Sequence, residues 1–111
     1  DTTDGAFFIK ADGAATMDFL VEKDNSATTN SSVATISDDT FLTASFRYSP
    51  KGGSSGNGAF EVFIDDAKVA TQTTLTNAPD DEDLTISFGI QNGEAVAKTM
   101  TIDYILAAVE R

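Results

Sequence analysis

The chain of 111 residues has no cysteine, no histidine and no tryptophan. Lack of cysteine excludes disulfides, thiolate metal sites and a sulfur nucleophile. Lack of histidine excludes a Ser-His-Asp triad, the usual zinc site and an imidazole base titrating near neutrality. Basic residues are scarce: 7 Lys and Arg stand against 18 Asp and Glu, for a net charge of −11. Lys10, Lys23, Arg47, Lys51, Lys68, Lys98 and Arg111 are scattered, with no two adjacent. Phosphate-based nucleic-acid binding needs clustered cations, and so acidic a chain is repelled by DNA and by anionic membranes. No apolar run approaches the ~20 residues of a membrane helix, and the opening residues do not read as a basic-then-apolar leader. A start at Asp1 rather than Met suits a processed product or a piece of a longer protein.

What is present is material for a core. Hydrophobic residues make up 41 % and include eight Phe, which argues against general disorder. The length suits one domain over residues 1–111. The dominant periodicity is two, the mark of half-buried strands whose successive side chains point to opposite faces. In 40–48, Leu42, Ala44, Phe46 and Tyr48 share one face. In 59–65, Phe60, Val62 and Ile64 alternate with Glu61 and Phe63. In 84–91 the inward set is Leu84, Ile86, Phe88 and Ile90, and in 99–108 it is Met100, Ile102, Tyr104 and Leu106.

Four more strands complete the reading. Segments 6–11 and 16–23 form a hairpin across Asp12-Gly13, a dipeptide that tolerates positive φ. Phe7 and Ile9 are expected inward on the first, and Met17, Phe19 and Val21 on the second. Segment 31–36 reads as a short Ser/Thr-rich edge strand, with 24–30 a polar connection before it. Segment 68–73 follows Asp65-Asp66 closely enough to make a hairpin with 59–64. No useful length shows helical spacing, and 92–98 reads as a loop. The expectation is an all-β, antiparallel two-sheet sandwich of about eight strands with no substantial helix.

Chemistry is harder to find. The acidic run Asp80, Asp81, Glu82 and Asp83 offers oxygen ligands for calcium but lacks EF-hand spacing. It reads more simply as a solvated tip. Glu22, Glu61 and Asp103 are the carboxylates a glycosidase would draw on, yet no closely spaced acidic strand motif contains them. Tyr48 and Tyr104 fall on the apolar register, where core packing explains them. The loop 49–58 (SPKGGSSGNG) is glycine-rich, but its order is not that of a P-loop and no helix follows. No catalytic residue, cofactor or metal is expected.

Contact surfaces are better represented. Phe8 and Phe63 fall out of register with the inward sets of their strands, and Phe41 opens its strand. Ile105, Ala107 and Val109 make the last strand apolar on both faces. Such a strand is either central or covered by a neighbour, and exposed aromatics mark contact surfaces. The candidate partner-interface residues are therefore Phe8, Phe41, Phe63, Ile105 and Val109.

Three stretches carry a resemblance: SFGIQNGEAVAKTMTIDYILAAVER (87–111), FEVFIDDAKVATQTT (60–74) and DGAFFIKADGAATMDFLVEKD (4–24). They resemble the closing strands, a central hairpin and the first hairpin of concanavalin-like (LamG-like) jelly-roll domains in structural proteins of tailed bacteriophages. Asp66 stands where that hairpin usually has Gly. The resemblance implies a jelly roll and a virion component: a capsid decoration or cement protein that binds the outer surface of the assembled shell. It implies as partners the major capsid protein or other virion subunits, with a homo-oligomer, a trimer for example, as a common arrangement. The place implied is the virion surface after synthesis in the host cytoplasm. The alternative is a receptor- or glycan-binding module of a head or tail fibre working through 49–58 and 77–83. No catalytic residue is carried over, and the calcium ligands of the lectin branch are not recognisable.

Overall fold

The computed structural model of the chain describes residues 4–80, 84–91 and 95–109. Among these the protein is all-β: six strands in two antiparallel three-stranded sheets, with no helix. The first sheet holds β1 (Gly5–Ile9), β2 (Thr16–Lys23) and β3 (Ser26–Thr35) in the order β1-β2-β3. The second holds β4 (Ala44–Ser49), β5 (Ala59–Ile64) and β6 (Ala67–Gln72) in the order β4-β5-β6. The two sheets face each other as the layers of a β-sandwich.

Turn chemistry sets these registers. Gly13 takes φ +69° in the β1–β2 connection, where the Ala14 N–H donates to the Ala11 carbonyl at 3.1 Å. Asp24 and Asn25 (φ 50° and 65°) join β2 to β3, and Asp65 and Asp66 (φ 48° and 64°) join β5 to β6. Two successive positive φ values define the two-residue turn whose twist matches paired strands, and Asp and Asn adopt it more readily than most side chains. Asp66 thus does in this hairpin what a glycine would do. The Asp24-Asn25 turn makes β3 ten residues long, so the connection expected over 24–30 is strand from Ser26 onward.

β3 carries one irregularity. The pairing steps from Met17–Ala34 to Phe19–Asn30, with Ser32 at φ 55° inside the bulge. The Asp18 carboxylate accepts the Ser32 N–H at 2.7 Å, satisfying a donor that the ladder no longer uses.

The core lies between the central strands. Phe19 and Val21 of β2 and Phe60 and Val62 of β5 form its buried cluster, with Ala6, Phe8, Val33, Ala70, Leu75 and Ala78 packed around it. Phe19, Val21 and Val62 are fully buried, each stabilising the fold by about 1.5–3 kcal/mol. The rings of Phe8, Phe19, Phe46, Phe60 and Tyr48 make a continuous tilted stack with centroids 5.0–6.1 Å apart. That spacing is favourable for edge-to-face contact.

Two expectations are corrected and a third is met in part. Phe8, not Phe7 and Ile9, faces the opposite sheet: its ring lies 5.3 Å from Phe19 and 6.1 Å from Phe46, while Ile9 is exposed. The β1–β2 register pairs Phe8 with Phe19, and directly paired residues share a face, so the inward position of Phe19 turns Phe8 inward. Six of the eight expected strands are formed among the described residues, where 84–91 and 99–108 carry no strand pairing. Their period-two alternation is present in the sequence without a strand to show for it. Finally, 40–43 precede β4 rather than belong to it. The Thr43 N–H instead donates to the Asp65 carboxylate at 2.8 Å, and the Asp65 N–H donates to the Thr43 carbonyl at 2.8 Å.

Candidate interaction surface

The two long sides of the sandwich are built differently. On one side β3 lies against β6. Gln72, only 6 % exposed, donates from Nε2 to the Asn30 side chain at 2.9 Å and accepts the Thr74 N–H at 2.9 Å. Asn77 donates to the Thr28 hydroxyl at 3.0 Å. Leu75 and Ala78 tuck under the core, and Lys23 pairs with Asp80. A buried amide needs partners, and the bonds of buried Gln72 and half-buried Asn77 tie the chain leaving β6 across the first sheet.

On the other side β1 lies over β4, joined by the Phe8–Phe46 contact. Both are terminal strands of their sheets, so among the described residues their outer backbone groups have no ladder partner. Phe46 and Tyr48 face the other sheet yet are 41 % and 51 % exposed. Opposite them run 84–91 and 95–109, whose large apolar side chains are exposed throughout. Two adjoining cavities of about 1660 and 2060 Å³ separate these segments from β1 and β4.

The five candidate residues fall in three places. Phe8 belongs to the inter-sheet stack. Phe63 is on the outer face of the second sheet, half-buried, with the Arg47 guanidinium 5.6 Å from its ring centroid. Phe41, Ile105 and Val109 are exposed, Val109 at 90 %. Phe41 and Ile105 both border the larger cavity, and Ile105 and Val109 the smaller. The structure therefore brings Phe41, Ile105 and Val109 to the open β1–β4 side and places Phe63 away from it.

The carboxylates do not converge. Glu61, on the outer face beside Phe63, accepts from Arg47 Nε at 2.6 Å and Lys68 Nζ at 3.3 Å. The Arg47 bond first, then the Lys68 bond, holds its carboxyl below the ordinary glutamate range. Glu22 borders one cavity and Asp103 the other. Among the described residues no group of three or more His, Cys, Asp or Glu is placed to hold a metal ion. Of the proposed calcium run, Asp81, Glu82 and Asp83 lie outside the described residues. The loop 49–58 is folded on itself: the Gly52, Gly56 and Gly58 N–H groups donate to the carbonyls of Ser49, Gly53 and Gly52. No described helix is long and apolar enough to cross a membrane.

Sequence reasoning missed the Asn30–Gln72 and Thr28–Asn77 bonds, because polar residues more than 40 positions apart leave no local trace. The Arg47–Glu61–Lys68 group was in principle findable, since its members lie on three segments that the sequence reads as strands and that pair in succession. No protein-family model, curated protein or solved structure matches the chain.

Proposed function

We propose that this chain is a non-enzymatic virion structural protein, a capsid decoration or cement subunit that binds the outer surface of an assembled shell. The observation that carries the reading is apolar surface left exposed at Phe41, Ile105 and Val109, the last at 90 %. Exposed apolar surface of this kind marks interaction sites. The high negative charge supports the same role, since affinity for packaged or free nucleic acid would be counterproductive on a coat surface. Glu61, neutralised by Arg47 and Lys68, is poorly suited to act as a general acid.

The finer fold belongs to the same proposal. The sandwich is a jelly roll of eight strands, in which 84–91 and 99–108 supply the last two. Partners are the major capsid protein or other virion subunits, and copies of this chain form a homo-oligomer, with a trimer one closed arrangement. Binding only to the assembled shell stabilises that shell by mass action, and repetition on a lattice multiplies a weak contact.

The test is co-sedimentation of the purified protein with expanded shells stripped of accessory proteins, beside host cells and a glycan array. Saturable binding at a fixed number of copies per shell, with a raised shell melting temperature, is the expected result. Indifference to shells with binding to cells or glycans would overturn it in favour of a fibre module.

A further inference from the structure

The open side and the unpaired segments fit each other in direction, length and pattern. One end of the groove is lined by Gly5, Tyr48, Leu75 and Pro79, and there Leu84 and Val109 lie opposite. The other end, past Ile9 and ahead of Ala44, is bordered by Lys10 and Thr43 together with Ile90 and Thr99, none of which lines the first cavity. Segment 84–91 therefore runs from the Tyr48 end of β4 to its Ala44 end, antiparallel to β4. Segment 99–109 returns from the Ile9 end of β1 to its Gly5 end, antiparallel to β1. At ~3.4 Å per residue, eight residues in 84–91 suffice to cover the six of β4, and 99–108 the five of β1. The alternating sets Leu84, Ile86, Phe88, Ile90 and Met100, Ile102, Tyr104, Leu106 match the apolar lining formed by Phe8, Phe46 and Phe60.

Size points the same way. The chain exposes 8348 Å², whereas a compact monomer of 11.7 kDa exposes roughly 5,900 Å² by the usual mass scaling. Its Cα radius of gyration is 14.6 Å, against ~13 Å for a compact chain of this length. The surplus, roughly 2,500 Å² on that scaling, is what closing a two-layer core would remove.

We infer that the groove between β1 and β4 is the docking site of the chain's own segment 84–109. Residues 84–91 add to β4 and 99–108 to β1, which makes two four-stranded sheets. The tether decides for the same chain over a second copy. Lys23–Asp80, Asn77–Thr28 and the packed Leu75 and Ala78 fix the chain beside the Gly5 end of the groove. Only three residues separate Asp80 from Leu84, so the local concentration of the segment at its own groove far exceeds that of a copy in solution. Docking leaves Ile105, Ala107 and Val109 on the outer face. The inference rests on the eight-stranded half of the proposed reading and not on its virion half.

The absence of native cysteine makes disulfide trapping in the full chain clean. Ser45→Cys is combined in turn with S87C, G89C and Q91C, and Ile9→Cys with T101C and D103C; the crossed pairs Ser45/Asp103 and Ile9/Ser87 serve as controls. A disulfide needs Cα atoms within ~7 Å, so one member of each matched series should crosslink within a monomer while the crossed pairs stay reduced. On non-reducing denaturing gels the crosslinked product should run at the single-chain mass, whatever the oligomeric state. Three results would overturn the inference: crosslinks between chains at doubled mass, crosslinking of the crossed pairs, or no crosslink in any matched pair. Binding to shells is read separately, so either proposal can fail without the other.

Discussion

At the β3–β6 side, polar side chains do the joining; at the β1–β4 side, apolar surface is left waiting. The Asn30–Gln72 and Thr28–Asn77 bonds are directional and fix one relative position of the sheets. The Phe8–Phe46 contact opposite is non-directional and continues outward into exposed Phe46 and Tyr48. The difference shows how a small sandwich assigns roles to its sides. Hydrogen bonds specify the closed side, and burial of apolar area, which tolerates several partners, serves the side that must receive another element.

The largest expected effect strikes the core between the two sides. Phe19 touches Phe8, Phe46 and Phe60 from a fully buried position, so Phe19→Ala should cost about 3–5 kcal/mol in urea unfolding. Next comes the open side alone. Docking of 84–109 predicts that Leu106→Ala costs about 2–3 kcal/mol, whereas a leucine left 83 % exposed loses no more than about 0.5 kcal/mol.

The closed side should answer differently. Gln72→Ala leaves the Asn30 side-chain oxygen and the Thr74 N–H without their partner, a loss of about 1–3 kcal/mol. Between the two, Gly58 takes φ +101° and a methyl there would meet the Tyr48 hydroxyl at 2.9 Å and Leu75 at 3.1 Å. Gly58→Ala should therefore destabilise by about 1–3 kcal/mol in the same assay. Gly13→Ala, at φ +69° with nothing within 4 Å, should cost only the backbone strain of about 1 kcal/mol.

The smallest effect lies on the outer face. The folded pKa of Glu61 is depressed, first by the Arg47 hydrogen bond and then by Lys68. Its contribution to stability is therefore complete above the unfolded glutamate pKa of about 4.3 and is lost as pH falls through the folded value. Arg47→Gln should move the Glu61 titration, followed by carboxyl NMR, back up toward the ordinary range. It should leave the neutral-pH melting temperature nearly unchanged, as exposed ion pairs do.

Much of the sandwich was legible because its signals are local. The alternation of Met17, Phe19 and Val21 and of Phe60 and Val62, and the Asp65-Asp66 turn, each act within a few residues. Asp24-Asn25 offered the same kind of signal and was read as part of a longer connection. β1 was ambiguous by nature: Ala6-Phe7-Phe8-Ile9 is apolar on both faces, and only its pairing with Phe19 chooses between them. Segments 84–91 and 99–108 show the limit in the other direction. Their period-two pattern states which side chains seek cover, but a strand exists only once an edge accepts it. The candidate surface was legible in Ile105 and Val109 because a strand apolar on both faces needs cover beyond its own sheet. Phe41 read as a lone strand-opening aromatic; its place beside them depends on how 84–109 returns across the molecule.

Amide hydrogen exchange followed residue by residue tests the central claim most directly, that the open side is a receptor for 84–109. Docked segments become edge strands, whose amides point alternately toward the sheet and toward water. Protection at every second amide in 84–91 and 99–108, approaching that of β2 and β5, is the predicted result. Uniform free-chain exchange across both segments, beside fully protected β2 and β5, would contradict it.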